Sequence, residues 1–393
     1  MISKNYDENK FIEDLTNPLE DIMSEVNYNV LSIITNRINK IGKMSATDAQ
    51  RLSQLVRMED LKTIEATISA GTNLSVKEID NIFNDMASKN DNLADNLYKA
   101  RNMPSSNFLS DMSLLSIVEQ ARNNTVDGVV NLSGTTGFII DGKMTELSKT
   151  YNYAVNRAIF EVQQGLFDYN TVMRTVITKL ASSGLRTIDF ASGYSRRLDS
   201  QAMMNVQDGI RQMNMSYRKQ QGQQYGANKV FISWHSLCGI DHLHINGMEY
   251  TFKQWDRVSA SLKRQVGTLN CKHYITYGID GISSNPISES QRQQAKNNSG
   301  KMVTYSTLRK DNNNKNIKKE LSKYDASQVL RKTETDIRKL KDIKNQLELN
   351  NDTIGMAEYN KKIKAKTVYY KSICNEMGLE PDLFRLRVYK PNN

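Results

Sequence analysis

Apolar residues recur three and four positions apart over most of the chain, and this spacing predicts a mainly helical protein. In residues 21–41, Ile22, Val26, Val30, Ile33, Ile34 and Ile41 fall near one helical face, with Arg37 among them. Ser75 followed by Glu78 has the form of a capping box ahead of Ile79, Ile82, Phe83 and Met86, so a helix is expected to start there. Leu114, Leu115, Ile117, Val118 and Ala121 mark another helix. The pattern breaks over 123–142, where Gly128, Gly134, Gly137 and Gly142 punctuate a β-branched stretch that reads as a loop or short hairpin. Tyr151, Ala154, Val155, Ala158, Ile159 and Val162 form the next stripe. Val172, Met173, Val176, Ile177 and Leu180 follow, with Gly184 placed to end that helix in a left-handed conformation. A longer helix carries Leu198, Ala202, Val206, Ile210, Met213 and Tyr217, and its Gln- and Arg-rich outer face is expected to run to Gly226.

At Val230 the period changes. Val230, Phe231, Ile232, Ser233 and Trp234 have the β-branched and aromatic character of a strand. Ile245, Asn246, Gly247 and Met248 place Asn-Gly between apolar residues, a strong short-range hairpin signal, with Tyr250 and Phe252 continuing a second strand. After about Ser290 the chain turns polar through Asn312, Asn313 and Asn314. Helical spacing then returns at Ile337, Leu340, Ile343, Lys344 and Leu347, and a last segment, 369–379, closes before Pro381. The fold class expected is α+β: a mainly helical body, a small β-hairpin-containing module near 228–290, and a basic helical C-terminal segment. The corresponding domains are 1–130, 131–290 and 291–393.

Composition narrows the function. Hydrophobic residues make up 38% of 393, and a mean hydropathy of −0.59 marks a polar chain whose helices bury one stripe each. No apolar run reaches the roughly 18 residues of a membrane span, so no membrane partner is expected. The opening stretch from Met1 to Phe11 has no apolar core of a secretory signal. Three cysteines fit a reducing cytoplasm and not a disulfide scaffold. Charge is uneven: residues 291–393 hold 23 Lys and Arg against 12 Asp and Glu, whereas 1–290 hold 30 against 31. Such a basic segment is a footprint for nucleic acid or an acidic surface, and equally the pattern of a solvated helix pair.

All four histidines, His235, His242, His244 and His273, lie within 39 residues, with Trp255, Cys238 and Cys271 among them and Trp234 immediately before. Imidazole and thiolate are the ligands zinc prefers in tetrahedral sets. His235, His242, Cys271 and His273 supply one such set, with Cys238 or His244 as substitutes. The spacing contains no Cys-x-x-Cys and no His-x3-His, so a hydrogen-bonded polar core joining two strand segments stands as the alternative. A Cys–His pair can also serve as nucleophile and base, with Asp241 orienting an imidazole. Neither a phosphate-binding glycine loop nor an HExxH helix accompanies it, and no enzyme activity is expected.

The order Phe231, Ile232, Ser233, Trp234, His235, Ser236, then His242, then Asn246 and Gly247, then Asn270, Cys271, Lys272 and His273 resembles the phage minor capsid protein 2 family. That family is related to the MuF head-morphogenesis proteins. Tyr277, Gly281 and Pro286 follow at matching places, and stretches 154–165, 171–184, 198–211 and 335–341, with Phe190 to Gly193, Cys374, Gly378 and Leu379, extend the resemblance over about 131–388. The chain departs from the family's Gly-Ala-Arg-Pro by having Leu237, Cys238, Gly239 and Ile240, and Lys272 replaces an arginine. The resemblance implies a structural virion protein assembled in the host cytoplasm. It would act at the portal vertex in head assembly or DNA packaging, with the portal protein and major capsid protein as partners. Residues 1–130 would be a portal- or partner-binding region, 131–290 a MuF-like domain, and the basic segment 291–393 could face packaged DNA. No cofactor is implied beyond the zinc alternative. The rivals are a metal-dependent nuclease or toxin-like effector, and a stand-alone nucleic-acid-binding protein.

Overall fold

The computed structural model describes residues 7–164, 169–188, 194–269, 271–310 and 315–391, with side chains at all of these except 46, 49–56, 161–164, 169, 170, 172 and 173. The opening residues 1–6, Gly165, the Phe190 to Gly193 stretch, Asn270, Asn312 to Asn314, and the side chains of Val162, Val172 and Met173 therefore lie outside it.

Helices dominate. α1 (Glu8–Gly42) is capped by Asp7, which accepts from the Lys10 amide, and α2 (Ala46–Ala100) by Ser45. At 1.5 Å per residue α2 is roughly 80 Å long. Ser75 lies inside α2, not at its start, and its hydroxyl donates to the Gly71 carbonyl at 2.8 Å. The capping-box signal is overridden because Ile64 and Ile68 continue the buried stripe of Ile79, Ile82 and Phe83 upstream. Gly71 lets α1 approach, since a Cβ there would meet Val26 Cγ2 at 2.1 Å.

α3 (Met112–Ser133) runs through the first half of the glycine-punctuated stretch. Gly128 does not break it: this residue faces Asn205, where a Cβ would meet the amide at 3.3 Å. The hairpin expected there comes later, as β1 (Thr136–Ile140) and β2 (Lys143–Glu146). Asp141 and Gly142 both have positive φ (51° and 78°), which matches the twist of a two-residue hairpin. α4 (Leu147–Gln164) and α5 (Tyr169–Ser183) follow, and Gly184 ends α5 at φ 64°. β3 (Arg186–Ile188) and β4 (Ser195–Arg197) complete an antiparallel sheet of order β2-β1-β3-β4.

α6 (Leu198–Gln224) carries the predicted apolar stripe, and Gly226 follows at φ 76°. Its polar face is not wholly outward: Arg211, Arg218 and Gln221 are buried. Arg218 closes a ring of hydrogen bonds with Glu8 (2.7 Å) and Asn90 (2.9 Å), and Asn214 completes it by bonding Asn90 (2.7 Å) and Glu8 (3.1 Å). Each member is satisfied by the others, so the ring holds α1, α2 and α6 in one register.

A second antiparallel sheet, order β6-β5-β7, contains β5 (Lys229–Ile232), β6 (Glu249–Thr251) and β7 (Ile275–Gly278). Phe252 does not extend β6: it begins α7 (Phe252–Ser261), capped by Thr251 and Gln254 in a reciprocal box. The C-terminal segment opens with α8 (Glu289–Gly300), and a hairpin of β8 (Met302–Lys310) and β9 (Asn316–Ser322) follows, which the helical expectation for this region did not include. It continues as α9 (Lys323–Leu349) and α10 (Thr353–Met377), which pack as an antiparallel pair closed by Gly378 at φ 66°.

The largest core joins α1 to α6 with Ile343 and Leu347 of α9 and Tyr359 of α10, so all three sequence segments contribute to it. Smaller cores lie under β8, α9 and α10, and within the β5–β7 module. No helix of the described residues is long and apolar enough to cross a membrane.

Candidate functional site

The histidine-rich residues meet at one end of the β5–β7 module. β5 and β7 are antiparallel neighbours with Ile232 opposite Ile275. His235 therefore leaves the end of one strand just where His273 enters the other. Ser233 fixes this junction: its amide donates to the Tyr274 carbonyl and its hydroxyl accepts from the Tyr274 amide, both at 2.9 Å. His242 ends a 3-10 turn, Ile240–His242, that begins after Gly239. Cys271 follows a tight turn containing Gly267 and Leu269, both at positive φ (73° and 50°). Leu269 pays the left-handed backbone penalty of about 1–2 kcal/mol while remaining exposed, so the turn is held by what surrounds it.

His242, Cys271 and His273 are buried to 2% exposure or less, and His235 is half-buried. His235 Nε2 lies 3.4 Å from His273 Nδ1. Cys271 Sγ lies 3.2 Å from His242 Nδ1 and 3.6 Å from His273 Nδ1. Three of the four candidate ligands, His242, Cys271 and His273, thus lie together, and His235 joins them through His273. They form two overlapping triads, His242–Cys271–His273 and His235–Cys238–His273, within each of which the ligand atoms lie within 4.8 Å of one another. Cys238 belongs to the cluster through the other ring nitrogen of His273, 3.6 Å from Nε2. His244 is exposed and stands apart from both triads.

Each imidazole is oriented by a group that can only accept. His235 Nδ1 faces the Leu237 carbonyl at 3.0 Å, and His242 Nε2 the Arg264 carbonyl at 2.7 Å. His273 Nε2 faces Asn246 Oδ1 at 3.1 Å. The Asn246 amide is itself fixed, because Oδ1 accepts from the His235 amide and Nδ2 donates to the His235 carbonyl, both at 3.1 Å. Asn246 was expected as a turn residue. Gly247 does adopt φ 73°, but the buried Asn246 side chain is the hub of the cluster. No pattern in one sequence separates that role from an ordinary Asn-Gly turn.

Burial drives the His235 pKa down to about 4 and that of His273 well below the usual range, with neighbouring cations and imidazoles adding to the effect. Burial also acts against charge on Cys271 and His242, yet their mutual contact outweighs it. The Cys271 thiol is lowered, helped by the Gly267 and His273 amides, and His242 is raised, helped by the Arg264 carbonyl. Cys238 behaves oppositely: burial pushes its thiol up to about 12, and Sγ donates to the Gly239 carbonyl at 3.3 Å. A catalytic nucleophile must also be reachable, and Cys271 is 2% exposed. Asp241 pairs with Arg264 at 2.9 Å, while His242 Nε2 is committed to the Arg264 carbonyl.

The module is tied to its surroundings on both sides. Lys272 reaches Glu13 of α1 at 2.8 Å, and its carbonyl accepts from Asn9 at 3.0 Å. From α8, Ser299 bridges the Cys238 amide and carbonyl, and the Gln291 carbonyl accepts from the Trp234 indole. The other tryptophan, Trp255, packs on Tyr250 at 5.6 Å.

Comparison with known proteins gives a match in one direction. The sequence profile described as phage minor capsid protein 2 matches residues 8–371. Neither curated proteins nor solved structures yield a match. The profile covers nearly the whole chain, and it spans the helical body, the histidine cluster and the α9–α10 pair alike. The chain belongs to the phage minor capsid protein 2 family.

Proposed function

We propose that this protein acts at the portal vertex of a tailed-phage head, supporting head assembly or DNA packaging through contacts with the portal and major capsid proteins. Membership of the family makes it a structural component of the phage virion. The match over residues 8–371 is the observation that carries the proposal. Several features are compatible with a bridging role. α2 is a long rod, and exposed apolar side chains at Met58, Leu109 and Met112 lie on the 1–130 region proposed to meet the portal. The 131–290 region presents the compact β module, and 291–393 presents lysines on β9 and α10 that can face packaged DNA.

Catalysis is not part of this proposal, because the Cys271–His242 pair is enclosed and held by structural partners. The direct test is affinity capture of the tagged full chain from cells producing the phage. Portal and major capsid proteins should be recovered together with it. Recovery of the chain free of both, with plasmid-cleaving activity that EDTA abolishes, would instead favour the nuclease reading.

A further inference from the structure

We propose that His235, His242, Cys271 and His273 hold one zinc ion, through Nε2, Nδ1, Sγ and Nδ1 respectively. The proposal is independent of where in the virion the protein sits. Its first support is the direction of the lone pairs. His235 Nδ1 and His273 Nε2 must carry their protons, since the Leu237 carbonyl and Asn246 Oδ1 can only accept. In the neutral rings the inner nitrogens are then unprotonated, and they face each other at 3.4 Å. Two lone pairs at that distance repel unless a cation lies between them. In a polar core that cation would have to be a shared proton, whereas a metal ion engages both lone pairs at once.

The second support is metric. Zinc bonds of about 2.0–2.1 Å to nitrogen and about 2.3 Å to sulfur give tetrahedral edges of roughly 3.3 Å for N···N and roughly 3.6 Å for N···S. Three of the six edges of the proposed set are near these lengths: 3.4 Å between His235 and His273, and 3.2 and 3.6 Å from Cys271 to His242 and His273. His242, Cys271 and His273 form one compact triad, and His235 joins it through His273. The third support is the outer ring of partners. Metal-bound imidazoles characteristically donate their remote N–H to a carbonyl or carboxylate, which fixes tautomer and ring plane. All three imidazoles do so here, to Leu237, Arg264 and Asn246.

Cys238 is the competing sulfur and is excluded by the same logic. It faces His273 Nε2, which Asn246 already engages, and its own thiol proton goes to the Gly239 carbonyl. Binding releases the Cys271 proton to solvent, and the three imidazoles enter neutral.

Elemental analysis of the full chain, purified without chelators, should find one zinc per chain. Replacing zinc with cobalt(II) should give the intense visible bands of a tetrahedral site together with a thiolate-to-cobalt charge-transfer band. That band should vanish in Cys271→Ser and persist in Cys238→Ser and Cys374→Ser. Asn246→Ala should weaken zinc retention against a competing chelator by 10-fold or more. If Cys271→Ser fails to fold, the wild-type cobalt spectrum and the two control variants still decide. Background zinc, a faint octahedral cobalt spectrum, or melting unchanged by chelator would overturn the proposal. Loss of the band in Cys238→Ser and not Cys271→Ser would also overturn it.

Discussion

Arg197 sits at the end of β4 with 3% exposure, and it meets Asp199 at 3.0 Å and Asp342 of α9 at 2.8 Å. Removing one partner of a buried ion pair leaves an uncompensated charge, typically at a cost of about 3–5 kcal/mol. Arg197→Ala removes the guanidinium from Asp342 and leaves Asp199 with Arg338 at 3.8 Å and the Ser200 amide, so chemical denaturation should show a loss of about that size. Burial acts to raise the Asp199 pKa, but the Arg197 and Arg338 guanidiniums and the Ser200 amide outweigh it and hold the carboxyl below its ordinary 3.8. A depressed acid contributes stability that is complete above its unfolded pKa and is lost as pH falls through the folded one. The melting gap between wild type and Asp199→Asn should therefore be widest at neutral pH and narrow below about pH 4. A gap that widens in acid would contradict this assignment. Residues of this kind were poorly legible in the sequence. An arginine in a polar-looking stretch gives no sign of burial, and Arg211 and Arg218 were placed on an outer face for that reason. The histidines and Cys271 were legible because rare residue types clustered. Asn246 was not, since Asn-Gly has a commoner meaning.

Local spacing identified most helices, because a buried stripe leaves its period in the sequence whatever it packs against. It located their ends less well. Ser75 has the residues of a helix start, but α2 runs through it, since the stripe continues on both sides. Gly128 resembles a breaker and is a site of close packing against α6. The β8–β9 hairpin was missed because β9 is exposed along most of its length and carries little alternation. Gly71 gives a test of helix-on-helix contact. Its missing Cβ lets Val26 approach, so Gly71→Leu should overpack the α1–α2 interface and destabilise by about 1–3 kcal/mol. Gly71→Leu together with Val26→Ala should recover part of that loss, and no recovery would mean that the two positions are not coupled.

The basic excess of residues 291–393 is partly used inside the molecule. Arg338 pairs with Glu20, Arg385 with Glu13 and Arg387 with Asp21, so the C-terminal segment is clasped to α1 by charge. Contact with packaged DNA, as proposed, falls to exposed lysines such as Lys318, Lys319, Lys361, Lys364 and Lys371. About five phosphate contacts imply that the logarithm of the DNA association constant falls against log salt with a slope of about −4 to −5. Binding titrations should find that slope flattened when these lysines become glutamine, and an unchanged slope would place the contact elsewhere. Position in the head is tested by cross-linking mass spectrometry on purified procapsids and virions. The chain should be present in both particles, at far fewer copies than the major capsid protein, with cross-links to the portal protein. Particles that lack the chain, or links confined to shell protein away from the portal, would contradict this placement.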